Sequence, residues 1–486
     1  MNEIVFMPAH ELARTIRERR LSSREVLEAH LRQIKRYNPS VNAIVTLDEE
    51  RAWQRAQQAD DALGRGEVWG PLHGVPVTIK DSFETAGLRT TSSYHRLIDY
   101  VPEQDASAVA RLRQAGAIIL GKTNVPRQSM DIQTVSPIFG RTNNPWDLER
   151  TPGGSTGGGA AAVASGMSPL ELGSDLGGSI RIPAHFCGIL GLKPTDNLVP
   201  ISGHIVSLPG KPRRTRQMLV AGPLARSVED LALSLAIVAG PNGRDWEVPP
   251  VCLGQPVERS LRDLRIAWSD DFDVAVSSDT RDPLAKLAGL LKPLGCRVER
   301  CNPPDFDFGL AWQAYAELLG AELHLDIPQY LCKGAPLASA LMFGDEPTQR
   351  AMMRGLSMDM RAYAAALTQR DLLIGALDRF LTDWDAWICP VTAGPAFTHR
   401  RPSIQRPGEP MEIDGSQVSY WRRKVCFITV FSLTGNPVVT MPLAQTADGL
   451  PIGMQAVGRR WHDMDLLSVA ASLAAITGPF PKPPGY

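Results

Sequence analysis

The sequence predicts a layered α/β fold built as one large domain, and three observations carry that expectation. Residues Asp105 to Ala115 have helical character and run directly into the apolar stretch Ala117 to Leu120, the helix-then-strand order of such folds. In Val75 to Lys80, the apolar Val75, Val77 and Ile79 alternate with Pro76, Thr78 and Lys80, the period of a strand with one face in a core. No linker-like tract interrupts the 486 residues. Length alone would suggest about three domains, but α/β chains often extend one sheet past that figure.

Taken in order, residues Pro8 to Tyr37 read as two helices. Ser22-Ser23-Arg24-Glu25 has capping-box spacing at the start of the second, and Val26, Leu27, His30, Leu31 and Ile34 share one face. Pro39 is expected to stop that helix. A short strand, Ala43 to Leu47, precedes a helix from Asp48 to about Leu63, with Asp48, Glu49 and Glu50 where the helix dipole favours acids. The strand that follows ends at Lys80, on the face opposite the valines, and α/β sheets place sites at such strand ends. After residues 105–120 come Gly121-Lys122-Thr123-Asn124 and a loop, Arg141 to Trp146. Thr151 to Pro183 then reads TPGGSTGGGAAAVASGMSPLELGSDLGGSIRIP: two glycine-flanked serines, Ser155 and Ser179, around a short apolar run. A small-residue helix opens at Ala160 to Ala164.

Within Val220 to Ala239 a helix is capped at Ser227, with Glu229 and Asp230 in its first turn. Residues 241–265 are Pro-rich and irregular, Leu264 to Trp268 reads as strand and Thr280 to Leu294 as helix. A long, mostly helical insertion from about Leu310 to Leu381 carries Met342, Met352, Met353, Met358 and Met360, with Trp312 and Tyr315. Methionines at this spacing fill core or line adaptable apolar pockets. A strand around Trp387 to Cys389 and two strands in FSLTGNPVVTMPLA and GLPIGMQAVG, joined by a turn, close the chain.

A formal net charge of −1 gives no bulk reason to expect nucleic acid, an anionic membrane or a strongly charged substrate. The basic run Lys211 to Arg216 is the local exception, read either as a solvated loop or as an anion or partner site. Seven scattered cysteines show neither metal spacing nor a disulfide framework, which suits a reducing, cytoplasmic compartment. The N-terminus lacks a leader pattern, and no stretch reaches the ~18 apolar residues of a membrane span. With no HExxH or CxxC, no metal and no cofactor are expected.

Gly153-Gly154-Ser155-Thr156-Gly157 formally matches the G-x-S-x-G elbow, but Asp147 to Pro152 before it is no strand. His185 lies near Ser179 in sequence, which says nothing of triad geometry, and it reads as a buried structural histidine. A phosphate loop would want a lysine inside the glycine run. There remain Lys80, two serines and a run of amides. Amide cleavage needs a nucleophile, a base, a donor for the departing amine and fixed N–H groups for the oxyanion. Burial that lowered the lysine pKa from ~10.4 to about 7–8 would make it such a base, and Asp175 to Ser179 would supply consecutive N–H groups. The residues by themselves leave two readings open: a serine hydrolase, or a lysine that merely pairs with Asp81 or another acid.

HGVPVTIKD, and then NNPWDLERTPGGSTGGGAAAVASGMSPLELGSDLGGSIRIPAHFCGILGLKPT, resemble the signature region of the amidase signature family, serine hydrolases with a Ser–cis-Ser–Lys triad. The spacing of Lys80, Ser155 and Ser179 agrees with that family, and GKTNVP, GPLARSVEDLALSL and FSLTGNP…GLPIGMQAVG extend the likeness over most of the chain. The resemblance implies a single domain, residues 1–486, with a mixed β-sheet covered by α-helices on both faces. Its parts would be a helical N-terminal segment at about 8–65, a signature core at about 66–240 and a variable, largely helical substrate-side insertion at about 305–385.

By the same resemblance Ser179 is the nucleophile and Ser155, after a cis Gly154–Ser155 peptide, bridges it to the base Lys80. Leu176, Gly177, Gly178 and Ser179 donate N–H groups to the oxyanion, while Asp175 and Arg181 brace the loop. Met130 and the Met-rich insertion would wall the pocket. Three departures stand out: Thr156 replaces a more usual second serine, Arg127 stands where an acid is common, and PTDNLVP lacks the glycine that commonly follows KPT. The expected function is hydrolysis of a small-molecule carboxamide to carboxylate and amine or ammonia. No nucleic acid and no membrane span are expected, with a homodimer left open. The alternatives are the glutaminase (A) subunit of a tRNA-dependent amidotransferase and a catalytically weak binding protein.

Overall fold

A computed structural model describes residues 2–206, 208–210, 215–323, 332, 347–401, 410–420 and 426–486. An 11-stranded mixed sheet runs through the molecule. In chain order its strands are β1 (Ile44–Leu47), β2 (Pro76–Lys80), β3 (Ile118–Thr123), β4 (Leu170–Asp175), β5 (Leu190–Lys193), β6 (Val220–Ala225), β7 (Arg265–Trp268), β8 (Arg297–Arg300), β9 (Ala386–Pro390), β10 (Val438–Gln445) and β11 (Pro451–Val457). Across the sheet they lie in the order β1-β3-β2-β4-β6-β5-β10-β11-β9-β7-β8. β2 pairs in parallel with both β3 and β4, so its C-terminal end sits deep in the sheet. β10 and β11 form the closing antiparallel pair.

The alternation in β2 sorts its side chains as the sequence predicts. Val77 and Ile79 enter the main apolar cluster, with Leu12, Val109, Leu231 and Leu467. Those partners lie on helices Ala9–Arg17, Ser107–Gln114, Val228–Val238 and Asp463–Thr477, which cover that face. The other face carries Gly157–Ala164 and Arg181–Cys187, whose Ala160, Val163 and Ala184 cluster with Leu224. Gly158 and Gly159 are small because this helix lies against the sheet: an added Cβ would stand 2.4 Å from the Asn124 nitrogen and 2.4 Å from the Glu171 side chain. These glycines admit protein neighbours. A third cluster joins Phe308–Leu323, Met360–Phe380 and Thr429–Thr434 around the fully buried Trp387, on which Phe272 stacks at 5.2 Å between ring centroids.

Several expectations are met closely. Ser22 accepts from the Glu25 N–H at 3.1 Å and the Glu25 carboxylate accepts from the Ser22 N–H at 2.7 Å, closing the capping box. Ser227 caps its helix by accepting from the Asp230 N–H. Others need correction. The helix from Ser23 continues through Pro39 to Val41 and ends at Asn42, at φ 52°, whose N–H donates to the Asn38 carbonyl. A proline in the last turn removes one donor without blocking that closure. β4, β5, β6 and β8 were not anticipated.

None of the described methionines of the insertion is fully buried: Met352, Met353 and Met358 are half-buried and Met360 is 85% exposed. Trp312 and Tyr315, by contrast, are buried. Met342 lies outside the described residues, as do Lys211 to Arg214 of the basic run; the Arg216 N–H donates to Glu322.

The N-terminal segment is clasped by residues far along the chain. Asp230 accepts from the N–H groups of Ala9 at 2.8 Å and His10 at 2.7 Å. The buried Arg226 donates to the carbonyls of Val5, Phe6 and Met7 and to those of Val163 and Ser168. Among the described residues none of the seven cysteines forms a disulfide. Among the described residues no helix is long and apolar enough to cross a membrane, and no cluster of His, Cys, Asp or Glu suits a metal ion.

Candidate active site

β2 delivers Lys80 to the face opposite its valines, with no solvent exposure. The pairing of Thr78 with Glu171 and Ile79 with Leu172 sets the end of β2 beside the end of β4. There Lys80 Nζ meets three oxygens: Ser155 Oγ at 2.7 Å, Ser174 Oγ at 2.9 Å and the Ser174 carbonyl at 3.3 Å. Burial lowers the Lys80 pKa to about 7, against the opposing pull of the Asp175 and Glu171 carboxylates. The amine is thus poised between its two protonation states near neutral pH. Glu171, equally buried, is pushed up to about 7 by burial, while hydroxyl bonds from Thr123 and Thr78 and the nearby lysines pull the other way.

Ser155 follows a cis Gly154–Ser155 peptide. No side chain fits at Gly154, where a Cβ would lie 2.7 Å from the Asp131 carbonyl oxygen. Residue 156 joins the two serine segments: the Thr156 N–H donates to the Ser179 carbonyl at 3.1 Å. Its hydroxyl donates to the Ser174 carbonyl at 3.4 Å. The extra methyl of threonine faces Gly173, where a Cβ would come within 2.8 Å of it. The chain therefore accommodates Thr156 through a glycine on β4.

Ser179 lies half-buried in the turn from β4 to the helix Arg181–Cys187. Asp175 organises this turn, accepting from the N–H groups of Gly178 at 2.8 Å and Ile180 at 3.0 Å and from Arg181 Nε at 3.1 Å and Nη2 at 2.9 Å. Burial alone would raise the Asp175 pKa, but the Arg181 charge and these bonds outweigh it and hold the group well below the usual carboxylate range. Arg181 also donates to the Ile428 carbonyl and Ser432 Oγ, anchoring the turn to the C-terminal half.

One expected oxyanion donor is already engaged. The Gly178 N–H points at Asp175, so it is committed to bracing the turn. Among the described residues none accepts from the N–H groups of Leu176, Gly177 and Ser179, which leaves three donors beside the Ser179 hydroxyl. Gly178 sits at φ +98°, and a Cβ there would meet Ile428 at 2.6 Å. Tyr315, from the helix Phe308–Leu323, closes the other side: its hydroxyl donates to the Leu176 carbonyl at 3.4 Å, and a Cβ on Gly177 would fall 2.5 Å from it. Sequence reasoning named Tyr315 only as part of the insertion, and nothing in its local pattern points to this contact.

Met130 is 46% exposed, at the end of a short turn beside residues 131–133, the segment that abuts Gly154. His185 is buried and structural: Nδ1 accepts from the Gly453 N–H and Nε2 faces the Gly394 carbonyl. Arg127 lies over the Tyr94 ring at 5.3 Å. Asn197, in the segment lacking the usual glycine, holds φ 63°, a left-handed conformation that asparagine tolerates better than most residues.

A family profile described as Amidase matches residues 25–467. The A-subunit of the glutamyl-tRNA(Gln) amidotransferase of Symbiobacterium thermophilum is 34% identical over 94% of this chain and 94% of its own length. A solved structure described as that of an amidase is similar with a TM-score of 0.79 and 30% identity, over 97% of this chain and 100% of the other. The structure of the corresponding amidotransferase A-subunit from Thermotoga maritima gives a TM-score of 0.74 and 27% identity, over 95% and 94%. Among curated relatives the names follow the amidotransferase alternative; among solved structures both names occur.

Proposed function

Because the chain belongs to the amidase family, we propose that it hydrolyses a carboxamide to carboxylate and amine or ammonia through an acyl-enzyme on Ser179. Ser179 Oγ attacks the carbonyl carbon, its proton passes by way of Ser155 to neutral Lys80, and Lys80 returns it to the departing nitrogen. Water then attacks the ester, gives a proton to the same relay and releases the acid with Ser179 restored. The N–H groups of Leu176, Gly177 and Ser179 receive the negative oxygen in both steps. The observation that carries this reading is Lys80: a fully buried amine, lowered to about 7, 2.7 Å from a serine hydroxyl. The substrate is a small-molecule amide, with Met130 and Tyr315 as walls, and neither cofactor, metal nor nucleic acid takes part.

A Ser179→Ala variant is expected to lose all covalent labelling by a fluorophosphonate. Labelling that persists in that variant overturns the nucleophile.

The names of the curated relatives favour a second reading, a glutaminase subunit that supplies ammonia within an amidotransferase. Assaying the isolated protein on glutamine and on amides graded by acyl length and aromatic character separates the two. Turnover of simple amides without a partner supports the first; glutamine hydrolysis confined to an assembled complex supports the second.

A further inference from the structure

The hydrogen bonding around Lys80 does not stop at Ser155. On its other side Ser174 Oγ lies 2.8 Å from His204 Nε2, which is also 3.0 Å from Ser82 Oγ. The backbone holds His204 in place: it bridges to Phe83, the Ile205 N–H donates to the Ser82 carbonyl at 2.6 Å, and the ring meets Phe83 edge-on at 4.6 Å. Ser82 and Phe83 lie two and three residues beyond the end of β2, so the strand that places Lys80 also places the anchor of His204. His204 Nδ1 is buried and finds no partner among the described residues.

A neutral amine has two N–H donors and one lone pair. Lys80 faces three oxygens, one of them a carbonyl that can only accept. One of the two serine hydroxyls must therefore point its proton at the lone pair. Were it Ser174, the base would be capped by the wrong serine and closed to Ser155. The neutral ring accepts at Nε2 when its proton sits on Nδ1, and in that tautomer the Ser174 proton turns to the imidazole instead. Ser174 Oγ and the Ser174 carbonyl then take the two Lys80 N–H groups, and the lone pair is left for the Ser155 hydroxyl.

Resting on the Lys80–Ser155–Ser179 reading above, we infer that His204 is a positioning residue: acting through Ser174, it aims the Lys80 lone pair at Ser155. Among the described residues it hydrogen-bonds to none of Lys80, Ser155 and Ser179. The neutral ring that this requires agrees with its surroundings, since burial and the charges of Lys80 and Lys122 all lower its pKa.

The test reads the rate at which a fluorophosphonate labels Ser179, which needs no knowledge of the natural substrate. His204→Phe removes the acceptor and is expected to slow labelling about tenfold or more. Deleting the misdirected hydroxyl in the double variant His204→Phe/Ser174→Ala is expected to restore part of that loss, which a purely structural role of His204 would not produce. His204→Gln, whose amide reaches the Nε2 position, is expected to label faster than His204→Asn, whose amide does not. Labelling of His204→Phe at the wild-type rate, or a double variant no faster than the single one, overturns the inference. Should His204→Phe not fold, equal rates for the Gln and Asn variants overturn it in the same way. Absence of labelling in the wild-type protein would instead sink the reading on which the inference stands.

Discussion

Lys80 is asked to be a base in a place where its charge is costly. A lysine moved from 10.5 to about 7 carries a cost of order 5 kcal/mol in its charged form. Because the unfolded chain still binds that proton up to about pH 10, the cost is full below pH 7 and fades as the pH rises. Lys80→Met is therefore expected to lose activity to the same extent as Lys80→Ala yet raise the melting temperature, more at pH 6 than at pH 9; calorimetry at the two values checks the order. In the wild-type protein the labelling rate of Ser179 should climb through an apparent pKa near 7, and a flat profile from pH 6 to about 9 would remove Lys80 as the base. Lys80→Ala should lose about 10²–10⁴ in rate. Glu171 faces the same lysine, and its carboxylate raises the Lys80 pKa. Glu171→Gln is thus expected to move the acid limb of the profile to lower pH. Since Glu171 itself titrates near 7, the wild-type limb belongs to the pair rather than to one group.

The turn from β4 into the helix Arg181–Cys187 is the element on which the three orphan N–H groups depend. Gly178→Ala strains a left-handed backbone and drives a methyl into Ile428, which should cost about 1–3 kcal/mol and displace the donors. The expected result is a fall in kcat well beyond what the loss of melting temperature explains, measured on the same preparation. Tyr315→Ala opens space beside Gly177 and is expected to change selectivity among acyl groups more than rate on the smallest amide. How much of this was legible follows from where the signals reside. β2, β10 and β11 announced themselves through alternation or apolar runs, and the caps at Ser22 and Ser227 through residue type. β4 was hidden because LELGSD places Glu171, Ser174 and Asp175 in a fully buried strand, where Glu171 and Ser174 bond partners remote in sequence and Asp175 bonds the turn that follows it. β6 was hidden by Gly222 and Pro223 within VAGPLA. The spacing of Lys80, Ser155 and Ser179 was readable through the family likeness. The commitment of the Gly178 N–H to Asp175, the contact of Tyr315 with the turn and the bond of His204 to Ser174 were not, since each depends on how distant segments meet.

At the scale of the molecule, the sheet gathers its site from the first half of the chain and seals it with the second, through Arg181 to Ile428 and Ser432 and Arg370 to Asp196 and the Leu433 carbonyl. Size-exclusion chromatography with light scattering, run beside the amide assays, is expected to show an active species without added partners. The clasp of the N-terminal segment by Arg226 and Asp230 bears on how such a chain is made. Residues 5–10 are synthesised well before their partners, which follow some 220 residues later. At a synthesis rate of about 5–20 residues per second, that interval is on the order of ten seconds to most of a minute. Within it Lys80, Ser155 and Ser179 are all synthesised before the circuit closes, so the nascent half-chain holds the reacting residues before Arg226 and Asp230 exist to clasp it.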